Sequence, residues 1–168
     1  MIKTDFNLEL EKIHPDRALH IAVITAEWNS EITSSLKKRC IDTLVENGIQ
    51  AKDITEVSVP GAFELSTAAA VLAAHKHIDA VICLGCVIQG ETRHFEFICN
   101  AVANGITSVG ISYLKPVVFG VLTTDNMQQA QARSGSDNAN KGFEAAVSAL
   151  KMLGSLHPYY QHASQVNI

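Results

Sequence analysis

Hydrophobic positions change period repeatedly along the chain, and the changes mark an alternation of strands and helices. Leu19–Thr25 (LHIAVIT) is a short β-branched run of the kind produced by a parallel strand buried on both faces. Asn29 or Ser30 can then cap a helix in which Ile32, Leu36, Cys40 and Leu44 recur every four residues, with Gly48 as its stop. A second strand is predicted near Ile54–Val59, closed by Pro60-Gly61. The alanine-rich stretch Ala62–Lys76 sets Leu65, Ala69 and Leu72 on one stripe and predicts a helix, and Ile78–Leu84 predicts a third strand.

Beyond Gly90, two signals compete. Ile106–Tyr113 has strand propensity, yet Ile98, Val102, Ile106, Val109 and Tyr113 are spaced four, four, three and four. That spacing is helical, so one long helix with a glycine-weakened second half is predicted. Pro116–Leu122 follows as the fourth strand, then helices over about 126–134 and 140–153 with Gly154 as the stop. Residues 1–18 are polar and irregular, broken at His14-Pro15, and read as an arm. The expected organisation is an arm (1–18), one domain (19–156) and a frayed tail (157–168). Strands alternating with helices imply an α/β fold: a three-layer α/β/α sandwich on a four-stranded parallel sheet. In such folds ligands sit beyond the carboxyl ends of the strands.

Composition narrows the function classes. The formal net charge of -4 argues against a nucleic acid or an anionic membrane surface as partner, since either selects a basic face. No apolar run is long enough to span a bilayer, and the N-terminus carries acids early and lacks a signal-peptide core, so a cytoplasmic location is expected. A cytosolic protein keeps its cysteines reduced; here they are Cys40, Cys83, Cys86 and Cys99. Cys83 and Cys86 form a C-x-x-C, but within a strand that spacing sends the two thiols to opposite faces. Small core residues are the better reading, and the sequence offers no cluster of further metal ligands.

The predicted strand ends carry the chemistry. Glu27-Trp28-Asn29 follows strand one, and Trp28, the only tryptophan, can stack on a flat heterocycle or simply anchor the core. VPGAFEL follows strand two and puts Glu64 in a first helical turn, where it either offsets the helix dipole or binds hydroxyls. GCVIQGETRHF follows strand three: Gly90 permits close approach or positive φ, Thr92 can cap the long helix, and the free amides there suit a phosphate. This is not a Walker loop. His94, beside that cradle, is a candidate general acid/base. Thr123-Thr124-Asp125 follows strand four, and Arg133 and Lys141 frame the polar turn 134–140. Each is a surface charge if taken alone, though Arg133 can hold a phosphate bidentately. Together these residues suit a flat polar ring and a small phosphorylated molecule.

Read in order, Trp28-Asn29, VPGAFEL, GCVIQGETRHF, PVVFGVLTTDN, and Arg133 followed by NKGFEAA make the chain resemble the lumazine synthase family from about residue 19 to 155. The resemblance implies a flavodoxin-like fold. It also implies condensation of 5-amino-6-(D-ribitylamino)uracil with 3,4-dihydroxy-2-butanone 4-phosphate, to 6,7-dimethyl-8-ribityllumazine, phosphate and water. It places Trp28 and Asn29 at the pyrimidine, Trp28 stacking on the ring. Ala62, Phe63 and Glu64 fall at the ribityl chain, and Cys86, Val87 and Ile88 at the ring edge through backbone groups. Glu91, Thr92, Arg133 and Lys141 fall at the phosphate, with Glu144 tuning its charge. His94 becomes the proton shuttle, and Phe119 reaches into a neighbouring subunit's pocket. Cys86 stands where a smaller or hydroxyl residue is expected.

No metal and no redox cofactor is implied. The resemblance further implies a homo-oligomer, either a pentamer or a hollow cage of twelve pentamers, with riboflavin synthase as a candidate partner. The compact 133–141 segment favours the cage. The N-terminal arm would pair with a neighbour's sheet edge. Two other readings compete: a flavin- or lumazine-binding module without catalysis, which would not need His94, and a shell protein with a vestigial pocket, which would lose Arg133 or the cradle. A response-regulator-like domain would need an acidic cluster at the strand ends, which is missing.

Overall fold

A computed structural model describes residues 18–163; the N-terminal arm's predicted pairing with a neighbour lies outside the described residues. Four parallel strands form the sheet: β1 (Ile21–Ala26), β2 (Ile54–Val59), β3 (Ala80–Ile88) and β4 (Val117–Thr124), in the order β2-β1-β3-β4. The helices are α1 (Ser30–Glu46), α2 (Leu65–Ala73), α3 (His94–Tyr113), α4 (Met127–Ala132) and α5 (Lys141–Ala163). Parallel neighbours need crossover helices, and these bury both faces of the sheet. The result is the predicted α/β/α sandwich, with the strand order of flavodoxin-like folds.

Each face has its own core. On one, Ile21, Val23, Ile82, Leu84 and Cys86 meet α1 through its predicted stripe of Ile32, Leu36, Cys40 and Leu44, together with α4 and α5. On the other, Ala22, Ile24, Val81 and Cys83 meet Leu65, Ala69 and Ala73 of α2 and Val102, Ile106 and Val109 of α3. Cys83 and Cys86 therefore do point to opposite faces. Burial pushes the Cys83 thiol up to about 12 and the Cys86 thiol to about 11, so neither is poised for redox chemistry. Gly142 is required where α5 crosses α1: a Cβ there would run into the Leu36 carbonyl.

Several boundaries differ from the sequence reading. β3 runs four residues past Leu84, because β4 pairs with it as far as Ile88↔Thr124. Gly85 through Ile88 are thus strand rather than the loop that follows it. β4 likewise continues past Leu122 to Thr124. The segment expected as one helix over 62–76 is a 3-10 turn at Ala62–Glu64 and then α2, which ends at Ala73. α5 does not stop at Gly154 or fray at His157; it passes Pro158 and reaches Ala163. Tyr160 on this extension donates its hydroxyl to the Leu114 carbonyl at 2.9 Å, docking the last turns on the end of α3.

Candidate active site

The carboxyl ends of β2, β1 and β3 are laced together beyond the sheet. The Glu27 amide donates to Val59 O at 2.8 Å and the Trp28 amide to Pro60 O at 3.3 Å, so the loop after β1 keeps following β2. Asn29 then turns with a left-handed backbone, φ 58 and ψ 46. Its carbonyl accepts from the Ile32 and Thr33 amides and starts α1. Its side chain does not cap that helix as predicted: Nδ2 donates instead to Cys86 O on β3, at 2.9 Å. The left-handed turn aims the amide at β3, away from the helix it begins.

Around this lacing the predicted ring and ribityl residues come together. Trp28 is 72% exposed and Phe63 57%, values far above those of ordinary core aromatics. Ala62 is buried, and Glu64 sits exposed on the 3-10 turn that enters α2. The Cys86 side chain is buried in the core, so only its backbone faces the site, while Val87 and Ile88 are half-buried.

The loop from β3 to α3 forms the next part. Gln89 extends the ladder, its amide donating to Thr124 O at 2.8 Å. Gly90 does not take positive φ, and nothing lies within 4 Å of where its Cβ would stand, so that side of the backbone is open. Arg93, not Thr92, occupies the N-cap position of α3; Thr92 instead accepts a long 3.4 Å bond from the His94 amide. Glu91, Thr92 and His94 are all exposed, with His94 opening the helix. A helix N-terminus of this length presents free amides and a positive dipole end, which together favour an anion.

The cationic residues form a separate group. Arg133 ends α4, its Nη1 donating to Gln129 O at 2.9 Å. Lys141 opens α5, and its amide donates to Arg133 O at 2.9 Å, closing the polar turn. Lys141 Nζ pairs with Glu144 Oε2 at 2.9 Å, both about one-third exposed. Gln129 is a residue that sequence reasoning missed: it braces Arg133 through its carbonyl and binds both the Asp125 amide and carboxylate through its side chain, each at 3.0 Å. The four-residue spacings 125–129–133 were the available signal. Among the described residues, no hydrogen bond or ion pair joins this group to Trp28 or to the Gly90–His94 loop.

Phe119 is also apart. It sits half-buried in β4 opposite Cys83, five residues and roughly 17 Å short of the strand's carboxyl end. Among the described residues, no three His, Cys, Asp or Glu side chains converge as metal ligands, and no helix is long and apolar enough to cross a membrane.

Residues 18–157 match the sequence profile of 6,7-dimethyl-8-ribityllumazine synthase. Among curated proteins, the enzyme of that name from Cytophaga hutchinsonii is 58% identical over 131 residues, 78% of this chain and 82% of the relative. Those from Porphyromonas gingivalis and Parabacteroides distasonis are 49% and 46% identical, over 87% and 83% of this chain and 91% and 88% of theirs. The chain belongs to the 6,7-dimethyl-8-ribityllumazine synthase family.

Proposed function

We propose that the protein condenses 5-amino-6-(D-ribitylamino)uracil with 3,4-dihydroxy-2-butanone 4-phosphate, releasing 6,7-dimethyl-8-ribityllumazine, phosphate and water. The observation that carries this reading is an exposed Trp28 next to Asn29, whose amide is bonded to the Cys86 carbonyl on β3, the strand that leads through one loop to the amides before α3. Trp28 stacks on the pyrimidine, Val87 and Ile88 meet its edge, and Glu64 accepts hydrogen bonds from ribityl hydroxyls. Glu91 and Thr92 amides hold the phosphate with Arg133, while Lys141 and Glu144 set the local charge.

The chemistry is attack of an amine on a carbonyl, loss of phosphate and ring closure. Each step moves protons near the phosphate-bearing carbons, where His94 stands as acid and base. Both substrates are intrinsically reactive, so fixing their relative orientation supplies much of the acceleration. The protein works in the cytoplasm.

The site is completed by a second copy of the chain. Phe119 lies too far down β4 to reach its own protomer's pocket and serves a neighbour's. Val71, Phe97, Ile111 and Leu114 on α2, α3 and the turn after them are 59–71% exposed, an apolar surface suited to subunit contact. The assembly is a pentamer, and the short 133–141 turn favours twelve pentamers as a cage. Riboflavin synthase, which consumes the product, is the fitting guest.

The test is turnover of the two purified substrates followed by lumazine absorbance, with no metal or cofactor added. Product formation well above background is expected. Binding of a product analogue without turnover would replace this reading with a lumazine-binding module.

A further inference from the structure

The β1–β3 ladder ends at Thr25↔Leu84, although β3 continues to Ile88 and β1 to Ala26. Beyond that register the Cys86 carbonyl faces the β1 side with no strand donor opposite it. Asn29 Nδ2 fills that place at 2.9 Å, across 57 residues of sequence. On the other side, the Trp28 amide is tied to Pro60 O of the β2 turn. Trp28 is thus slung between two strands, by its own amide on one side and by its neighbour's side chain on the other. Asn29 is one of two non-glycine residues with positive φ among the described residues. Asparagine tolerates this conformation better than most residues, and here its amide also has the reach to cross to β3.

We propose that Asn29 is a positioning residue rather than a substrate ligand: its bond to Cys86 O sets the distance between the Trp28 ring and the Val87–Ile88 backbone, and so fixes the slot that receives the pyrimidine. This deepens the proposed function and rests on it. The inference gives Asn29 no role at the phosphate end, because its polar contacts run to β3 and α1 alone.

Two variants separate the bond from the backbone. Asn29→Gly keeps the left-handed turn and deletes the amide. Asn29→Asp keeps the shape but turns an oxygen toward the Cys86 carbonyl. Both should raise KM for the ribitylaminouracil on the order of 10–100-fold, as small misplacements do, and leave KM for the butanone phosphate within about twofold. As Trp28 is the only tryptophan, its fluorescence reports this slot alone. Its steady-state anisotropy in the ligand-free protein should fall in both variants.

Unchanged pyrimidine KM and anisotropy would overturn the inference. So would equal rises in both KM values, the mark of general loosening. If the wild-type protein itself shows neither turnover nor quenching of Trp28 by the pyrimidine, the proposed function fails and takes this inference with it. If the wild type shows both and the variants match it, only the positioning role fails.

Discussion

The two ends of the sheet use polar side chains in opposite ways. At the amino end they satisfy one another. The His20 amide donates to Asp79 Oδ2 at 2.8 Å, the Asp79 amide returns a bond to His20 O at 2.8 Å, and His20 Nδ1 lies 3.7 Å from the buried Asp53 carboxylate. Lys115 Nζ caps the end of α2 through the Ala73 and His75 carbonyls. At the carboxyl end, Trp28, Phe63, Glu64, Glu91 and His94 are exposed, and the bonds that exist there shape the backbone beneath them. Groups already paired hold the fold together, while groups left open are available to a ligand. Substitutions at the two ends should therefore have opposite signatures: stability without activity at one, activity without stability at the other.

The largest expected effect is at the open end. His94→Ala should lower kcat by ~10²–10⁴-fold, the usual worth of a positioned acid/base. Its melting temperature should stay at the wild-type value, because the exposed imidazole opens α3 without a cap bond from its side chain. Steady-state kinetics and thermal melting check both halves, and an unaffected rate would remove the proton shuttle from the mechanism.

Next comes Arg133→Ala. A hydrogen bond to a charged group contributes about 1.5–3 kcal/mol, which corresponds to roughly 10–100-fold in KM for the phosphorylated substrate. KM for the pyrimidine should be nearly unchanged. Gln129→Ala removes the side chain that holds Asp125 but keeps the backbone carbonyl that braces Arg133, so it should leave the same constant nearly unchanged. Unchanged KM for the phosphorylated substrate in Arg133→Ala would place the phosphate elsewhere.

Asp79→Ala tests the closed end. It leaves the His20 amide without its acceptor, at a cost of about 1–3 kcal/mol for a partly buried group. Urea denaturation should show that loss while kcat and both KM values hold. A fall in activity with intact stability would erase the distinction between the two ends.

How much of this was legible in the sequence follows the range of the interactions. The α1 stripe and the helical spacing of Val102, Ile106 and Val109 were readable because a local period records which face is buried, and all of these residues are buried. The third strand is predicted to end at Leu84, yet β3 continues through Gly85 because β4 offers ladder partners as far as Thr124. Gly154 read as a stop, yet Tyr160 finds the Leu114 carbonyl 46 residues away. Asn29 could be predicted at the start of α1, since its residue type suits a cap. The acceptor its amide uses lies on another strand, which no local pattern displays. The candidate site residues stood out in the sequence as motifs at predicted strand ends; their division into a laced slot, a braced cation pair and a distant Phe119 required the fold.

The smallest effect concerns the thiols, three of which are buried in the core. Burial pushes Cys40 and Cys83 up to about 12 and Cys86 to about 11, and raises Cys99 less deeply buried on α3. At pH 8 almost none of the buried three is thiolate, and the thiolate is the reactive form. A disulfide-exchange reagent should therefore label native protein slowly, at Cys99 first, with the other three reacting only as the chain unfolds. The sign of the linkage follows from the raised folded values. The folded state holds these protons more tightly than the unfolded state, so their contribution to stability is whole below about pH 9 and is lost as pH climbs toward 12. Denaturant midpoints should be flat through neutral pH and fall above pH 9, a decline that Cys40→Ala would lessen. Rapid labelling of Cys83 or Cys86 in the native protein at pH 8 would mean that the sheet opens far more readily than its two-sided core implies.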